Sequence, residues 1–481
     1  MKADLRFHFS NVGPVDDAKL ELGDLTVIAG RNNTGKTYLV YTLYGFLKEY
    51  HNLKRAIIGS PTLDAHLREV TSLTVSEFEE KLLAEGRLEW ENDRDALALL
   101  HTQLFQEMCR RFSETGFSEV FNTSSDSFKN AKLEVDFSSD FSREGATGVQ
   151  IERSSLWCHF EGTKIELELN RLEPERKLEV EPGEIFNRAM YTYLDAIFQV
   201  PYTLLGRPVH ILSSARHSIS LFFRELDRAR SQVVRSLQQM KDDHGEASPR
   251  ISELLRQQTS RYPLPIQDNI DFARELPVLD PKAENEDLRH ALENIIGGRL
   301  EVQDDDVRFI SSKGGTRSID IPLHLASSSV WEMTNLFFFL GLLEGLGGHF
   351  LIIDEPESHL DTANQIQFTR LLARLVNAGT KVLITTHSDY IIKEINNLVM
   401  LSGDFEGKEE VSKRLGYQQD DGISPDQIRA YTAERGTLRR CDVRDIGIDM
   451  PVFDDTIRSI NMTARELFAL TRKNTESGDE I

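Results

Sequence analysis

A glycine-rich segment near the N-terminus carries the residue types that bind phosphate. Residues 30–37 read GRNNTGKT, which fits the spacing G-x-x-x-x-G-K-[S/T]. In such a loop the glycines allow successive backbone N–H groups to face phosphate oxygens, a lysine reaches the outer phosphates, and a hydroxyl binds Mg²⁺. The spacing therefore predicts that Lys36 contacts phosphate and that Thr37 is a metal ligand. The other predicted loop residues are Gly30, Arg31, Asn32, Asn33, Thr34 and Gly35.

Two apolar segments later in the chain end in ionisable side chains. Residues 349–355 read HFLIIDE, which predicts a buried strand that ends at Asp354 and Glu355. We expect Asp354 to hold the Mg²⁺ shell and Glu355 to act as the general base for water. Residues 381–388 read KVLITTHS, so His387 follows a second apolar strand, where it is expected to contact the γ-phosphate.

A serine-rich segment and one arginine are further candidates for anion binding. Residues 326–330 read ASSSV and precede a predicted helix, so Ser327, Ser328 and Ser329 could present hydroxyls and backbone N–H groups to an anion. A simple serine-rich helix cap explains the segment equally well. Arg216 is a candidate anion contact, with a surface salt bridge as the alternative.

Strands and helices must alternate to bring these residues together. Residues 1–45 read as strand, turn, strand, glycine-rich loop and helix, which is typical of an α/β fold. Position 354 lies 318 residues after position 36, so a large insertion must separate the two halves of the site. Further helices are expected over 46–125, 183–200, 217–260, 328–346 and 362–377, and further strands over 131–170, 299–323, 349–353 and 380–386.

Composition limits the classes of protein and of partner. The 481 residues include 56 Lys and Arg against 78 Asp and Glu, a formal net charge of −22, which argues against a surface coated with basic groups for nucleic acid. The three cysteines, Cys109, Cys158 and Cys441, show no C-x-x-C spacing, so we expect reduced thiols in a cytoplasmic protein. The most apolar stretch, residues 336–343, is too short to span a membrane, so no membrane contact is expected.

At these motifs the sequence resembles the ABC-type ATPases that include SMC, RecF and OLD proteins. GRNNTGKT resembles their Walker A motif, LIIDEPESHLD their Walker B motif with D-loop, and ITTHS their switch-histidine segment. The segments ILSSARHS, THSDYIIKEINNLVML and FDDTIRSIN are similar to a bacterial subgroup of stand-alone AAA ATPases. The resemblance implies an ABC-type P-loop nucleotide-binding domain split by a large mixed α/β and helical insertion.

The resemblance also implies ligands and assembly. ATP and Mg²⁺ would be the cofactors, and two copies of the chain would enclose ATP between the Walker A motif of one and the signature segment of the other. The protein would therefore be a homodimer or a higher homo-oligomer. The candidate signature, Ser327–Ser329, lacks the glycine that usually follows the serines. The D-loop resemblance adds Asp361 to the residues expected at the nucleotide.

Five segments follow from the positions of the motifs. They are residues 1–50, the first part of the ATPase domain; 51–215, a helical and antiparallel β insertion; 216–298, a helical lobe; 299–400, the second part of the ATPase domain; and 401–481, an α-rich segment.

In sequence and size the chain is most similar to the ATPase subunit of PARIS-type anti-phage systems. That resemblance implies a toxin–antitoxin-like sensor or scaffold, which holds a separately encoded Toprim-type nuclease and releases it when a phage trigger protein is sensed. Only 94 residues follow His387, and they contain no D-x-D pair, so no intrinsic nuclease is expected.

Two alternatives remain open. A RecF-like DNA-repair ATPase would bind duplex DNA through arginine clusters, whose interpretation as solvated helix faces is the simpler one. A third hypothesis is an ATP-gated switch without either partner. The clusters are Arg435, Arg439, Arg440 and Arg444, and Arg224, Arg228, Arg230 and Arg235.

Overall fold

The computed structural model describes most of the chain. The described residues are 5–58, 60–137, 144–151, 154–161, 163–171, 183–199, 207–219, 262–276, 285–304, 306–311, 319–342, 345–450 and 458–468. Most of the helix predicted over 217–260 lies outside the described residues, as do Arg224, Arg228, Arg230 and Arg235.

Strands and helices are both abundant. The strands are β1 (Leu5–Val12), β2 (Val15–Glu21), β3 (Leu25–Ala29), β4 (Arg87–Glu91), β5 (Lys132–Phe137), β6 (Glu144–Ile151), β7 (Ser154–Glu161), β8 (Lys164–Arg171), β9 (Val209–Leu212), β10 (Gly298–Gln303), β11 (Asp306–Ser311), β12 (Ile319–Pro322), β13 (Phe350–Asp354), β14 (Lys381–Thr386), β15 (Ile428–Glu434), β16 (Thr437–Cys441), β17 (Val443–Arg444) and β18 (Gly447–Ile448). The α-helices are α1 (Lys36–Ala56), α2 (Pro61–Thr71), α3 (Val75–Glu85), α4 (Arg94–Arg111), α5 (Phe117–Phe121), α6 (Glu184–Gln199), α7 (Leu264–Glu275), α8 (Glu286–Ile296), α9 (Ser328–Leu342), α10 (Thr362–Asn377), α11 (Asp389–Ser402) and α12 (Lys408–Leu415), and residues 458–468 are also helical.

One large sheet organises the fold. Among the described residues it has nine strands in the order β5-β1-β2-β16-β15-β3-β14-β13-β9. The five strands β15, β3, β14, β13 and β9 run parallel. Strands β3 and β13 are buried along their whole length, as expected for apolar parallel strands that are covered on both faces. The predicted α/β class is therefore confirmed.

The two faces of this sheet pack against different helices. Ile352 and Leu383 belong to a core that includes the apolar side of α1. Their neighbours Leu351 and Val382 belong to a second core, which includes α8, α9, α10 and α11. Because successive side chains of a strand point to opposite faces, the same short strands serve both cores.

The long insertion forms smaller sheets beside the central one. Among the described residues, strands β4, β8, β7 and β6 make a four-stranded antiparallel sheet, and β10, β11 and β12 make a three-stranded one. All of these strands except β4 lie in regions where strands are predicted. The expectation of helix over 46–125 is wrong at β4, where RLEWE alternates between exposed and buried side chains, as a strand does. The segment 401–481, expected to be α-rich, also contributes β15 and β16 to the central sheet. No helix in the described part of the chain is both long enough and apolar enough to cross a membrane.

Strand pairing brings the two halves of the site together. In β14, Thr385 pairs with Asp354 of β13 on one side and with Ile28 of β3 on the other. The glycine-rich loop that follows β3 therefore begins at the same edge of the sheet where β13 ends.

Candidate active site

The glycine-rich loop joins β3 to the N-terminus of α1. Gly35 has a φ of +90°, and a Cβ there would collide with Val15. At Gly30 a Cβ would lie 2.6 Å from the Ala433 carbonyl oxygen. Among the described residues no side chain caps the start of α1, which leaves its first backbone N–H groups available to an anion. The loop has the backbone that a phosphate site requires.

Lys36 lies inside this loop. Its Nζ donates hydrogen bonds of 2.9 Å to the carbonyl oxygens of Gly30 and Arg31. Burial lowers the pKa of Lys36, whereas the nearby carboxylates of Glu355, Asp354 and Glu357 raise it. The ammonium group is thus held at the loop, beside three carboxylates, where it can reach bound phosphate.

Asp354 and Thr37 form the second part of the site. The Thr37 hydroxyl lies 3.0 Å from Asp354 Oδ2, and the Thr385 hydroxyl lies 2.5 Å from Asp354 Oδ1. Asp354 is fully buried. A carboxylate and a hydroxyl are the hard oxygen ligands that suit Mg²⁺, so these residues fit the predicted metal.

Arg216 positions the end of strand β13. Its Nη1 donates to the Asp354 carbonyl oxygen at 2.6 Å, and its Nη2 donates to the Glu355 carbonyl oxygen at 2.9 Å and forms an ion pair with Glu332. The Arg216 side chain is only 1% exposed. The alternative of a surface salt bridge is therefore wrong, because the guanidinium is buried against backbone carbonyls and a buried carboxylate. Contact between Arg216 and a bound anion stays a prediction.

Glu332 is the buried partner of this arginine. It lies one turn inside α9, with a side chain that is 0% exposed. Burial raises the pKa of Glu332 to about 7, although Arg216 opposes the shift. Glu332 was not predicted from the sequence. Its position within an apolar helix gives no indication that it pairs with Arg216, which lies more than 100 residues earlier in the chain.

Glu355 follows the strand in a left-handed conformation. Its φ is +54°, and its N–H donates to both the hydroxyl and the carbonyl oxygen of Thr385. Together with the bond from Arg216, these contacts hold a backbone geometry that is costly for a non-glycine residue. The Glu355 side chain is 28% exposed, unlike that of Asp354, and its Oε1 lies 3.8 Å from His387 Nδ1.

Glu357 holds His387 in place and was not predicted. Its Oε1 accepts hydrogen bonds from the His387 backbone N–H at 2.6 Å and from the Thr386 hydroxyl at 2.8 Å, and lies 3.1 Å from His387 Nδ1. Burial raises the pKa of Glu357, although these donors oppose the shift. The signal available in the sequence was a third carboxylate in the run DEPE.

The serine-rich segment and Asp361 make other contacts. Ser327 Oγ lies 2.9 Å from Ser329 Oγ, and α9 begins at Ser328. Asp361 caps α10, with its Oδ1 accepting from the N–H groups of Ala363 and Asn364. The structure therefore groups the phosphate loop with Asp354, Glu355 and His387, and gives Asp361 a structural contact. A role for Ser327–Ser329 and Asp361 at the nucleotide remains a prediction.

One family model matches part of the chain. Residues 183–392 match the family model described as "AAA ATPase domain". That range contains Asp354, Glu355 and His387 but begins after the glycine-rich loop. This part of the chain is thus similar to an ATPase domain.

Similar solved structures are SMC head domains. The head domain of Pyrococcus furiosus, solved with the C-terminal domain of ScpA, has 11% identity and a TM-score of 0.31, covering 96% of this chain and 100% of that one. The head domain of Thermotoga maritima has 11% identity and a TM-score of 0.29, covering 92% and 100%. No curated protein matches the sequence. The α/β class of the chain follows from the strand order of its central sheet and not from these similarities.

Proposed function

We propose that the site binds Mg²⁺–ATP and hydrolyses it with Glu355 as the general base. The observation that carries this proposal is the 3.0 Å contact between Thr37 and Asp354, 317 residues apart, directly beside the phosphate loop. The loop N–H groups and Lys36 would hold phosphate oxygens, and Thr37 and Asp354 would hold Mg²⁺. When bound, Mg²⁺ would neutralise charge that develops on the phosphates.

The surroundings of the three carboxylates support different roles for them. Asp354 is buried and accepts from two hydroxyls, and Glu357 is buried and accepts from Thr386 and His387. Glu355 is the partly exposed one, so its oxygens can meet a water molecule and take its proton. His387 lies between Glu355 and Glu357, where it can report the presence of a γ-phosphate.

The experiment is phosphate release from ATP with and without Mg²⁺. We expect Lys36→Ala to weaken nucleotide binding and Glu355→Gln to bind ATP while turning over slowly. Lys48→Ala is the matched control, because Lys48 lies on the same helix but its Nζ pairs with Asp268. A Glu355→Gln protein with unchanged turnover would remove Glu355 as the base.

At the level of the cell, we propose an ATP-driven sensor or scaffold in a bacterial anti-phage system. It would form homo-oligomers, hold a separately encoded Toprim-type nuclease and release it when a phage trigger protein is sensed. The net charge of −22 and the sequence resemblance support this proposal. Stable co-purification with a nuclease encoded next to this gene is expected, and its failure with an active ATPase would reject the partner but not the ATP site.

The surroundings of the described arginines give less support to DNA binding. Arg439 pairs with Glu434 at 3.3 Å, Arg440 with Glu21 at 2.9 Å, and Arg444 with Asp442 at 3.1 Å. Carboxylates at these distances reduce the positive potential that phosphates would meet. Salt-sensitive retardation of duplex DNA, lost in an Arg439→Ala/Arg444→Ala variant, would favour the repair ATPase instead.

A further inference from the structure

The side chains of two histidines and one glutamate lie close together beside the site. The proposed ATPase chemistry gives none of these three residues a role. His217 follows β9, Glu332 lies in the first turns of α9, and His359 lies in the turn between β13 and α10. One ligand atom of each lies within 4.8 Å of a ligand atom of the other two. Imidazole nitrogens and a carboxylate oxygen are a different donor set from the all-oxygen pair at Thr37 and Asp354.

His217 presents an unused ring nitrogen. The backbone of Ser328 hydrogen-bonds this ring, while Nδ1 is buried and has no partner among the described residues. The bond to Ser328 is therefore made through Nε2, which leaves the lone pair on Nδ1. Histidine ligands commonly have their second nitrogen fixed in this way by a backbone carbonyl. Burial also lowers the pKa of His217, which favours the neutral ring.

Glu332 supplies a buried carboxylate oxygen. The ion pair with Arg216 involves its Oε1. Its Oε2 is buried without a hydrogen-bond partner in the part of the chain that the structure describes. Leaving such an oxygen without a partner is costly, and a cation would remove that cost. Arg216 would then act as the outer partner that orients a ligating carboxylate.

His359 completes the set from an exposed turn. Its ring stacks on that of His217, with centroids 4.0 Å apart and planes inclined by 21°. Two nitrogens bound to one ion at about 2.1 Å can be at most about 4.2 Å apart, so the set must contract slightly and the stacked rings must reorient. The exposed His359 ring is free to make that adjustment without disturbing a packed core.

We propose that His217, Glu332 and His359 bind one divalent transition-metal ion of the Zn²⁺ type, separately from the Mg²⁺ ligands. A set of two histidines and one carboxylate is a common zinc donor set, and it leaves a fourth position for water or another ligand. The ion would connect three segments that are distant in sequence, at the start of the candidate signature helix. This site does not depend on ATP hydrolysis.

The test measures Zn²⁺ binding by the full chain in excess Mg²⁺. Protein stripped of metal competes with a chromophoric chelator for Zn²⁺, and Co²⁺ provides a spectrum that distinguishes tetrahedral nitrogen ligation from octahedral oxygen ligation. We expect one ion per chain. The affinity should be at least about 10–100-fold weaker in His359→Ala, because losses of that size follow the removal of residues that only orient a metal ligand. His324→Ala, which removes an exposed histidine from the same region, should bind as the wild type does.

Two further variants make the outcome decisive. His217→Ala/His359→Ala should lose the tetrahedral Co²⁺ spectrum, and Asp354→Asn should keep it. Equal Zn²⁺ affinity in the wild type and the double variant would overturn the proposal. So would an ion that is lost in Asp354→Asn but kept in His359→Ala, or a wild-type chain that takes up no Zn²⁺, since the stacked histidines would then be a packing contact only.

Discussion

Replacing Arg216 by methionine tests how the end of β13 is held. The substitution removes a donor from the carbonyl oxygens of Ser213, Asp354 and Glu355 and an ion-pair partner from Glu332. The Ser213 carbonyl keeps a bond from the backbone N–H of residue 216, whereas those of Asp354 and Glu355 each lose the Arg216 donor. A buried carbonyl without a donor costs about 1–2 kcal/mol, so the two together cost about 3 kcal/mol. This part of the loss does not depend on pH.

Loss of the ion pair adds a second, pH-dependent contribution to the destabilisation, and its sign follows from the pKa of Glu332. The pKa of Glu332 is about 7 in the folded chain, against an ordinary value of 4.5. Ionisation of Glu332 therefore lowers the stability of the wild type as pH rises from 4.5 to 7, and it has no further effect above pH 7. Without Arg216 the pKa rises further, and the variant continues to lose stability above pH 7. One pH unit corresponds to about 1.4 kcal/mol. The total at pH 8 is therefore about 4–5 kcal/mol, in the range for breaking a buried ion pair.

Urea unfolding at pH 5 and pH 8 measures both parts. We expect Arg216→Met to be destabilised by about 3 kcal/mol at pH 5 and by about 1.4 kcal/mol more at pH 8. In Arg216→Met/Glu332→Gln the pH-dependent loss of stability should vanish, and the pH-independent loss should remain. Arg439→Met, which removes an exposed arginine from its ion pair, should change the free energy of unfolding by less than about 0.5 kcal/mol.

Either of two results would refute the reasoning. One is a free energy of unfolding for Arg216→Met that equals the wild-type value at both pH values, because the buried contacts would then contribute nothing. The other is a pH increment that persists in the double variant, because it could not come from Glu332.

Three further predictions concern the site itself. Glu355→Gln should retain ATP binding and lose about 10²–10⁴-fold in turnover, as measured by filter binding and phosphate release. Gly35→Val should abolish nucleotide binding, since its φ of +90° and the clash with Val15 exclude a side chain; isothermal titration with ATP checks this. Asp361→Ala should cost about 0.5–2 kcal/mol through loss of the α10 cap, whereas Asp361→Asn should cost little; thermal unfolding separates these outcomes, and equal losses would contradict the capping role.

Sequence reasoning was most successful where local chemistry determines structure. Strand β13 and the phosphate loop were predicted because an apolar run and a glycine pattern are visible within ten residues. The four-residue strand β9 is shorter than the usual signal, so its place at the edge of the sheet was missed. The hairpin of β15 and β16 turns at Arg435 and Gly436, both of which have positive φ. Turns of this kind usually have Asn, Asp or Gly at the first position, so the arginine gave no signal of the turn.

Contacts between distant segments could not be predicted in the same way. Arg216 reads as one basic residue in a polar segment, and nothing nearby indicates that it is buried on the carbonyls of Asp354 and Glu355. Glu357 has the same difficulty, since its partner Thr386 lies on a strand 29 residues later. Such contacts depend on register and on which faces meet, and these are fixed only when the sheet is assembled.

The charges around the loop explain why a metal ion and a nucleotide suit the site together. Lys36 is the cation at the centre of the loop, and three carboxylates, Asp354, Glu355 and Glu357, lie close enough to affect its pKa. A polyphosphate entering alone would meet net negative charge in partly buried surroundings, where repulsion is stronger than in water. A divalent ion held by Thr37 and Asp354 would offset that excess of negative charge. The three carboxylates therefore favour phosphate that arrives with its own cation over phosphate that arrives alone.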